Sequence, residues 1–193
     1  HAFMMDNRGR PVTYNPCKPI DIVVNDTLAP PGADRLVDEA VDKVERATGL
    51  RLRVIGTSDE PPSEHRPNRQ QDRYGDRWAP VLLAWTTPEQ EARLKGDIAG
   101  IGGSIPVSTG MSGELRYVTG IVFLDAPQFA NLLPQVAGWE RARAIVMHEL
   151  GHLVGLAHVD DPMELMGEQN MIPLDFGPGD LQGLAALGNG SCL

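Results

Sequence analysis

The stretch His148-Glu149-Leu150-Gly151-His152-Leu153-Val154-Gly155-Leu156-Ala157-His158 decides how the rest of this chain is read. Residues four apart on an α-helix stand on one face, so His148 and His152 can present two imidazoles about 6 Å apart along the axis. Two neutral nitrogens hold a metal ion poorly. Gly155 accepts positive φ at little cost, which lets the chain leave the helix and turn sharply, bringing His158 to the same ion. Three protein ligands suit a zinc ion and leave one tetrahedral position for water, the mark of a catalytic site rather than a closed structural one. Glu149 sits about 100° around the helix from His148, so it points away from that ligand but can reach the water as a general base. The bland reading is a polar helix with ordinary histidines. It is weakened by distribution, since three of the chain's five histidines fall inside this stretch.

Eight residues beyond His158 stands Met166, preceded by Glu164 and Leu165. This combination resembles the metzincin clan of zinc endopeptidases, and the Glu164-Leu165-Met166 turn is most similar to the matrixin branch. Farther on, Phe176-Gly177-Pro178-Gly179-Asp180-Leu181-Gln182-Gly183-Leu184 is similar to the matrixin C-terminal helix. The resemblance implies that Met166 forms an apolar floor under the three rings without binding metal, and that Asp180 ties the last helix to the turn carrying Met166. It also implies an α+β fold. That fold has a twisted, mostly parallel five-stranded sheet with an antiparallel edge strand, a backing helix, an active-site helix and a C-terminal helix.

The chain departs from the matrixin pattern in three places. Gly167-Glu168-Gln169-Asn170-Met171 replaces the usual aromatic residue and proline after the turn, so the wall of the specificity pocket, from Gly167 to Phe176, is altered. Glu168 is expected to face solvent. Gly179 replaces the aspartate that pairs with the mature N-terminus in that family, so no such ion pair is expected. Outside the motif only His1 and His65 remain, so one catalytic zinc is expected and no second one.

With 193 residues and 41% hydrophobic content the chain can bury one substantial core, and 1–193 is read as a single catalytic domain. Residues 1–16 are expected to be irregular. A formal charge of −9 argues against binding a phosphate backbone, so no nucleic-acid partner is expected; its plain meaning is solubility. Carboxylates such as Asp125 lack any spacing that demands calcium, which stays open. No apolar run of about 18 residues exists to span a membrane. The opening His1-Ala2-Phe3 reads as a processed or excised segment, compatible with removal of a signal peptide and a location outside the cell or in the cell envelope. A monomer acting on a polypeptide is expected.

Pro19 to Asn25 reads as a strand, Ala33 to Thr48 as an amphipathic helix closed by Gly49, and Arg51 to Ile55 and Val81 to Trp85 as further strands. Between the last two, Gly56 to Pro80 is rich in Pro, Arg, Asp and Glu and reads as a long surface loop whose charges form a solvated face. Ala99 to Val107 mixes β-formers with Gly102, Gly103 and Pro106. Proline cannot donate to a neighbouring strand, which sends this segment to a sheet edge. There Gly102, Gly103 and Ser104 could hold an extended peptide as an added strand, while the proline also protects the edge from aggregation. Tyr117 to Leu124 is another strand, and Trp139 to Leu153 the active-site helix.

Cys17 and Cys192 are the only cysteines and read as a disulfide joining the two ends. The alternative is an inhibitory thiol, because Asn15-Pro16-Cys17-Lys18-Pro19 resembles the matrixin propeptide motif. The short link from Cys17 to the first strand argues against that reach. Two readings of function besides a zinc endopeptidase remain: a silent zinc-containing peptide-binding module, and a zinc exopeptidase or amidase.

Overall fold

A computed structural model describes residues 1–109, 113–168 and 173–192. Its centre is a five-stranded sheet in the order β3-β2-β4-β6-β5. Strand β2 (Ile20–Asn25) pairs in parallel with β3 (Leu52–Thr57) and β4 (Val81–Thr86), and β4 in parallel with β6 (Glu114–Asp125). Strand β5 (Gly100–Thr109) runs antiparallel to β6 and forms one edge. Its register shifts between Ile105 and Pro106, which is where an edge strand can absorb a residue without an N–H.

One face of the sheet is covered by helices. In α1 (Ala33–Thr48) the residues Leu36, Val37, Ala40, Val41 and Val44 recur at helical spacing and are all buried. Gly49 ends the helix at φ 74°, donating its N–H to the Glu45 carbonyl at 2.7 Å. Beside α1 lies α4 (Gly138–Val154), joined to it where Trp139 Nε1 donates to Glu39 Oε2 at 3.0 Å. Helix α3 (Ala126–Leu132) leads into α4, and α5 (Pro178–Gly188) closes the chain.

The opposite face explains why all six residues of β4 are buried. It is covered by the segment between β3 and β4, the region read as a solvated surface loop. That expectation is corrected for its central charges: the side chains of Arg66 and Glu60 are only 2% and 6% exposed. Arg66 binds Glu60 through Nε at 2.7 Å and Nη2 at 3.0 Å, and also donates to Thr119 Oγ1 at 3.1 Å and the Pro80 carbonyl at 2.7 Å. Gln70 and Tyr74 also donate to the Glu60 carboxylate, Tyr74 standing in the short helix α2 (Gln71–Tyr74). Tyr74 then packs on a second core of Val23, Leu82, Ala84 and Phe123. A composition rich in charge and proline marked this segment as loop but could not show that two of its charges neutralise each other indoors. Its His65 is exposed.

The first 16 residues also differ in part from expectation. Ala2–Phe3 (β1) pairs antiparallel with Leu156–Ala157 (β7), and Val12 and Tyr14 are 1% and 4% exposed. Two-residue strands carry no periodic signal. Cys17 and Cys192 form the disulfide, with their Cα atoms 5.5 Å apart. Arg116 adds a second tie at that end, donating to the Ser191 carbonyl at 2.7 Å and to Ser191 Oγ at 2.6 Å. Replacing both cysteines by serine is expected to lower stability by up to about 5 kcal/mol on the loop-entropy estimate. Urea denaturation checks this, and an unchanged midpoint would show that the bridge constrains nothing.

Candidate metal centre

Helix α4 supplies His148, Glu149 and His152 from its last two turns. It can lie this close to its surroundings because of small residues. A Cβ on Gly151 would stand 2.8 Å from Met166 Sδ, so glycine lets the buried Met166 come up against the helix between the two histidines. Gly155 follows the helix at φ 124°, and a side chain there would also press on Leu187 and Tyr117. The chain then reverses through β7 and delivers His158.

The three imidazoles converge. His148 Nε2 is 3.0 Å from His158 Nε2 and 3.1 Å from His152 Nε2, and the third separation is 3.0 Å. The other ring nitrogens of two of them face carbonyls: His148 Nδ1 lies 2.8 Å from the Leu165 oxygen, and His152 Nδ1 lies 2.8 Å from the Leu156 oxygen. A carbonyl only accepts, so each Nδ1 carries the proton and each Nε2 offers a lone pair to the centre. Burial pushes the His148 ring down to about 3, helped by the neighbouring His152, and burial takes His152 to about 4. Both rings are therefore neutral near pH 7. Converging lone pairs without a donor between them fit a Lewis acid, and the nitrogens of a tetrahedral zinc at about 2.0–2.1 Å stand about 3.3 Å apart, close to the spacing here. Among the described residues this trio is the one group of three or more His, Cys, Asp or Glu side chains able to hold a metal ion. No acidic calcium cluster accompanies it there.

Glu149 is 7% exposed, and burial raises its carboxyl to about 8 against the opposing hydrogen bond from the Gly102 backbone. Its position depends on two glycines of β5. A Cβ on Gly100 would lie 2.6 Å from Glu149 Cγ, and one on Gly102 only 2.0 Å from the Glu149 carbonyl oxygen. Glycines two apart face the same side of a strand, a signal of close approach that the sequence held at Gly100 and Gly102. The reading of the edge changes accordingly. Gly102 makes room for the active-site helix, and Gly103 faces open space. Ser104 hydroxyl donates to the Leu153 carbonyl at 2.6 Å and contacts Tyr14 Oη, so it holds the helix end and does not line the cleft.

Behind the centre, Asp180 is fully buried and its Oδ2 accepts from the Leu165 N–H at 2.6 Å and the Gly177 N–H at 3.1 Å. Glu164 answers in the other direction, accepting from the N–H groups of Gly179 at 2.8 Å and Asp180 at 2.7 Å. These two carboxylates lock the Met166 turn to the start of α5, and so fix the Leu165 carbonyl that orients His148. Sequence reasoning missed the role of Glu164, which no spacing announces.

A cleft of about 1020 Å³ opens over the three histidines and Glu149, walled on one side by Ile98 to Gly102 and on the other by α3 and α4. Glu168 is exposed, as expected, and lines this cleft. Residues 169–172, the centre of the altered specificity segment, lie outside the described residues. Replacing His152 by alanine is expected to remove stoichiometric zinc, read by atomic absorption after dialysis. Retention of one zinc per chain would refute its place as a ligand.

No protein-family model matches the chain, and no curated protein matches it in sequence. Among the solved structures that match, archaemetzincin from Methanopyrus kandleri superimposes with a TM-score of 0.51 at 19% identity, covering 93% of this chain and 97% of that one. The strand order, the helices and this similarity together give the chain a metzincin-like fold.

Proposed function

We propose that this protein is a zinc-dependent endopeptidase that hydrolyses internal bonds of an extended polypeptide. The observation that carries the proposal is the open cleft in which three converging Nε2 atoms and the buried Glu149 carboxylate lie beside the β5 edge. Zinc held by His148, His152 and His158 would supply Lewis acidity, lowering the pKa of water and polarising a peptide carbonyl. Glu149 takes the proton from the attacking water on its carboxylate and returns it to the leaving amine. A nearby dication favours the ionised carboxylate, offsetting the burial that otherwise holds Glu149 protonated. Met166 closes the floor against water, and the Leu165 and Leu156 carbonyls keep the two rings aimed.

The Glu164-Leu165-Met166 turn and the tie from Asp180 support placing the chain near the matrixin branch. The similarity to a metzincin structure supports peptide chemistry in general. The disulfide favours an oxidising compartment, and no helix among the described residues is long and apolar enough to cross a membrane; we propose a secreted, monomeric, single-domain enzyme. Peptides acetylated at one end and amidated at the other test the endopeptidase reading. Zinc-dependent cutting of doubly blocked peptides is expected, and cutting confined to peptides with a free end would overturn it.

A further inference from the structure

The cleft continues beyond the metal centre along the N-terminal half of α4. Arg141, Ile145, Glu149 and His152 follow one another at spacings of four, four and three, which puts them on one helix face, and all four line the cleft. Ile145 is half-buried and faces an apolar stretch from α3, where Phe129 and Leu132 line the same space. Arg141 stands at the far end of this stretch, exposed to solvent.

Among the described residues lining the cleft, Arg141 is the only lysine or arginine. Its guanidinium has one weak contact, Nη1 to Gln135 Oε1 at 3.3 Å, and forms none of the ion pairs found among the described residues. By contrast Arg143, two residues on, pairs with Glu39. Of the acids of the cleft, Asp97 just before β5 and Glu168 after the Met166 turn lie on other walls, and Glu149 stands on the face of Arg141 itself, eight residues or about 12 Å farther along the helix, beside the histidines. Away from the metal centre, a substrate carboxylate would meet like charge at Asp97 and Glu168 and opposite charge at Arg141.

The distance can be bounded from regular geometry. Arg141 precedes His148 by seven residues, about 10 Å along the helix, while an extended peptide advances about 3.3 Å per residue. We propose that Arg141 is a specificity-determining residue that binds a substrate carboxylate about three residues from the cleaved bond, with an apolar subsite between them. This rests on the peptidase reading and names the substrate class it takes. The carboxylate is either an acidic side chain within a longer polypeptide or the free C-terminus of a short one, and a planar guanidinium suits both.

Two measurements on matched peptides test this, with Glu, Gln or Lys placed in turn at each position up to four residues from the cut. In wild type, kcat/KM is expected to favour Glu over Gln by about fivefold at one such position. The ratio falls to about one in Arg141→Ala and turns toward Lys in Arg141→Glu, with thermal midpoints confirming folded variants. C-terminal amidation separates the sources: a Glu preference that survives it reads a side chain, and a fall of about fivefold in kcat/KM on amidation that is absent in Arg141→Ala reads the chain end. The second measurement is fluorescence anisotropy of the same peptides on zinc-loaded Glu149→Ala protein. There the Glu peptide is expected to bind tighter than the Gln peptide only while Arg141 is present, a result that would stand even if no peptide were cut. Equal handling of Glu, Gln and Lys peptides by wild type with no loss on C-terminal amidation, or a Glu preference or amidation effect unchanged in Arg141→Ala, overturns the proposal while leaving the peptidase reading intact.

Discussion

Glu149→Gln is expected to reduce peptide cutting by about 10²- to 10⁴-fold while zinc content stays at one per chain. The substitution keeps the shape of a side chain that packs tightly over Gly100, where even a Cβ would lie 2.6 Å from Glu149 Cγ. It removes only the ability to accept a proton. His148 and His152 keep their orientation through the Leu165 and Leu156 carbonyls. Loss of cutting together with loss of zinc would mean that the substitution disturbed the ligands. Unchanged cutting would remove Glu149 from the mechanism.

The second large effect is structural. Arg66→Ala is expected to destabilise the protein by about 3–5 kcal/mol, because it strands the buried Glu60 carboxylate without its main partner. Five other groups also contact this residue or the carboxylate of its partner: Thr119, the Pro80 and Gly120 carbonyls, Gln70 and Tyr74. Burial alone would raise the Glu60 carboxyl, but the hydrogen bonds from Arg66, Gln70 and Tyr74 outweigh it and hold it below the ordinary glutamate value. A carboxyl depressed in the folded state stabilises above its unfolded pKa, about 4.3, and this contribution is lost as pH falls through the folded value. Thermal midpoints between pH 7 and pH 3 should therefore drop on the acid side in wild type and drop less steeply in Glu60→Gln, which starts lower. Equal acid limbs would show that Glu60 does not titrate with folding.

This anchor matters to the site because Thr119 and Gly120 belong to β6, and Gly120 pairs with Ser104 on β5. Ser104 in turn holds the Leu153 carbonyl of the active-site helix. The packed segment behind the sheet thus supports the strand on which the cleft is built.

The convergence of the three histidines was legible in the sequence because it depends on spacings along one helix and one turn. His148 and His152 are fixed by helical repeat, and Gly155 announces the reversal that brings in His158. What stayed hidden depends on partners distant in the chain. The Leu165 and Leu156 carbonyls are backbone atoms with no residue preference, and Glu164 meets Gly179 and Asp180 only after folding. Arg66 and Glu60 sit in a composition that reads as solvent-facing, and nothing local distinguishes a charge that will find a buried partner. The edge strand shows both cases: Pro106 correctly marked an edge, but Gly102 serves the helix behind it before any peptide in front.

The most direct test of the account is digestion of a mixed peptide library by zinc-loaded protein, with fragments read by mass spectrometry against Glu149→Ala. Internal cuts made by wild type and absent from the variant are the predicted result. Trimming confined to chain ends, or internal cuts that persist without Glu149, would contradict it.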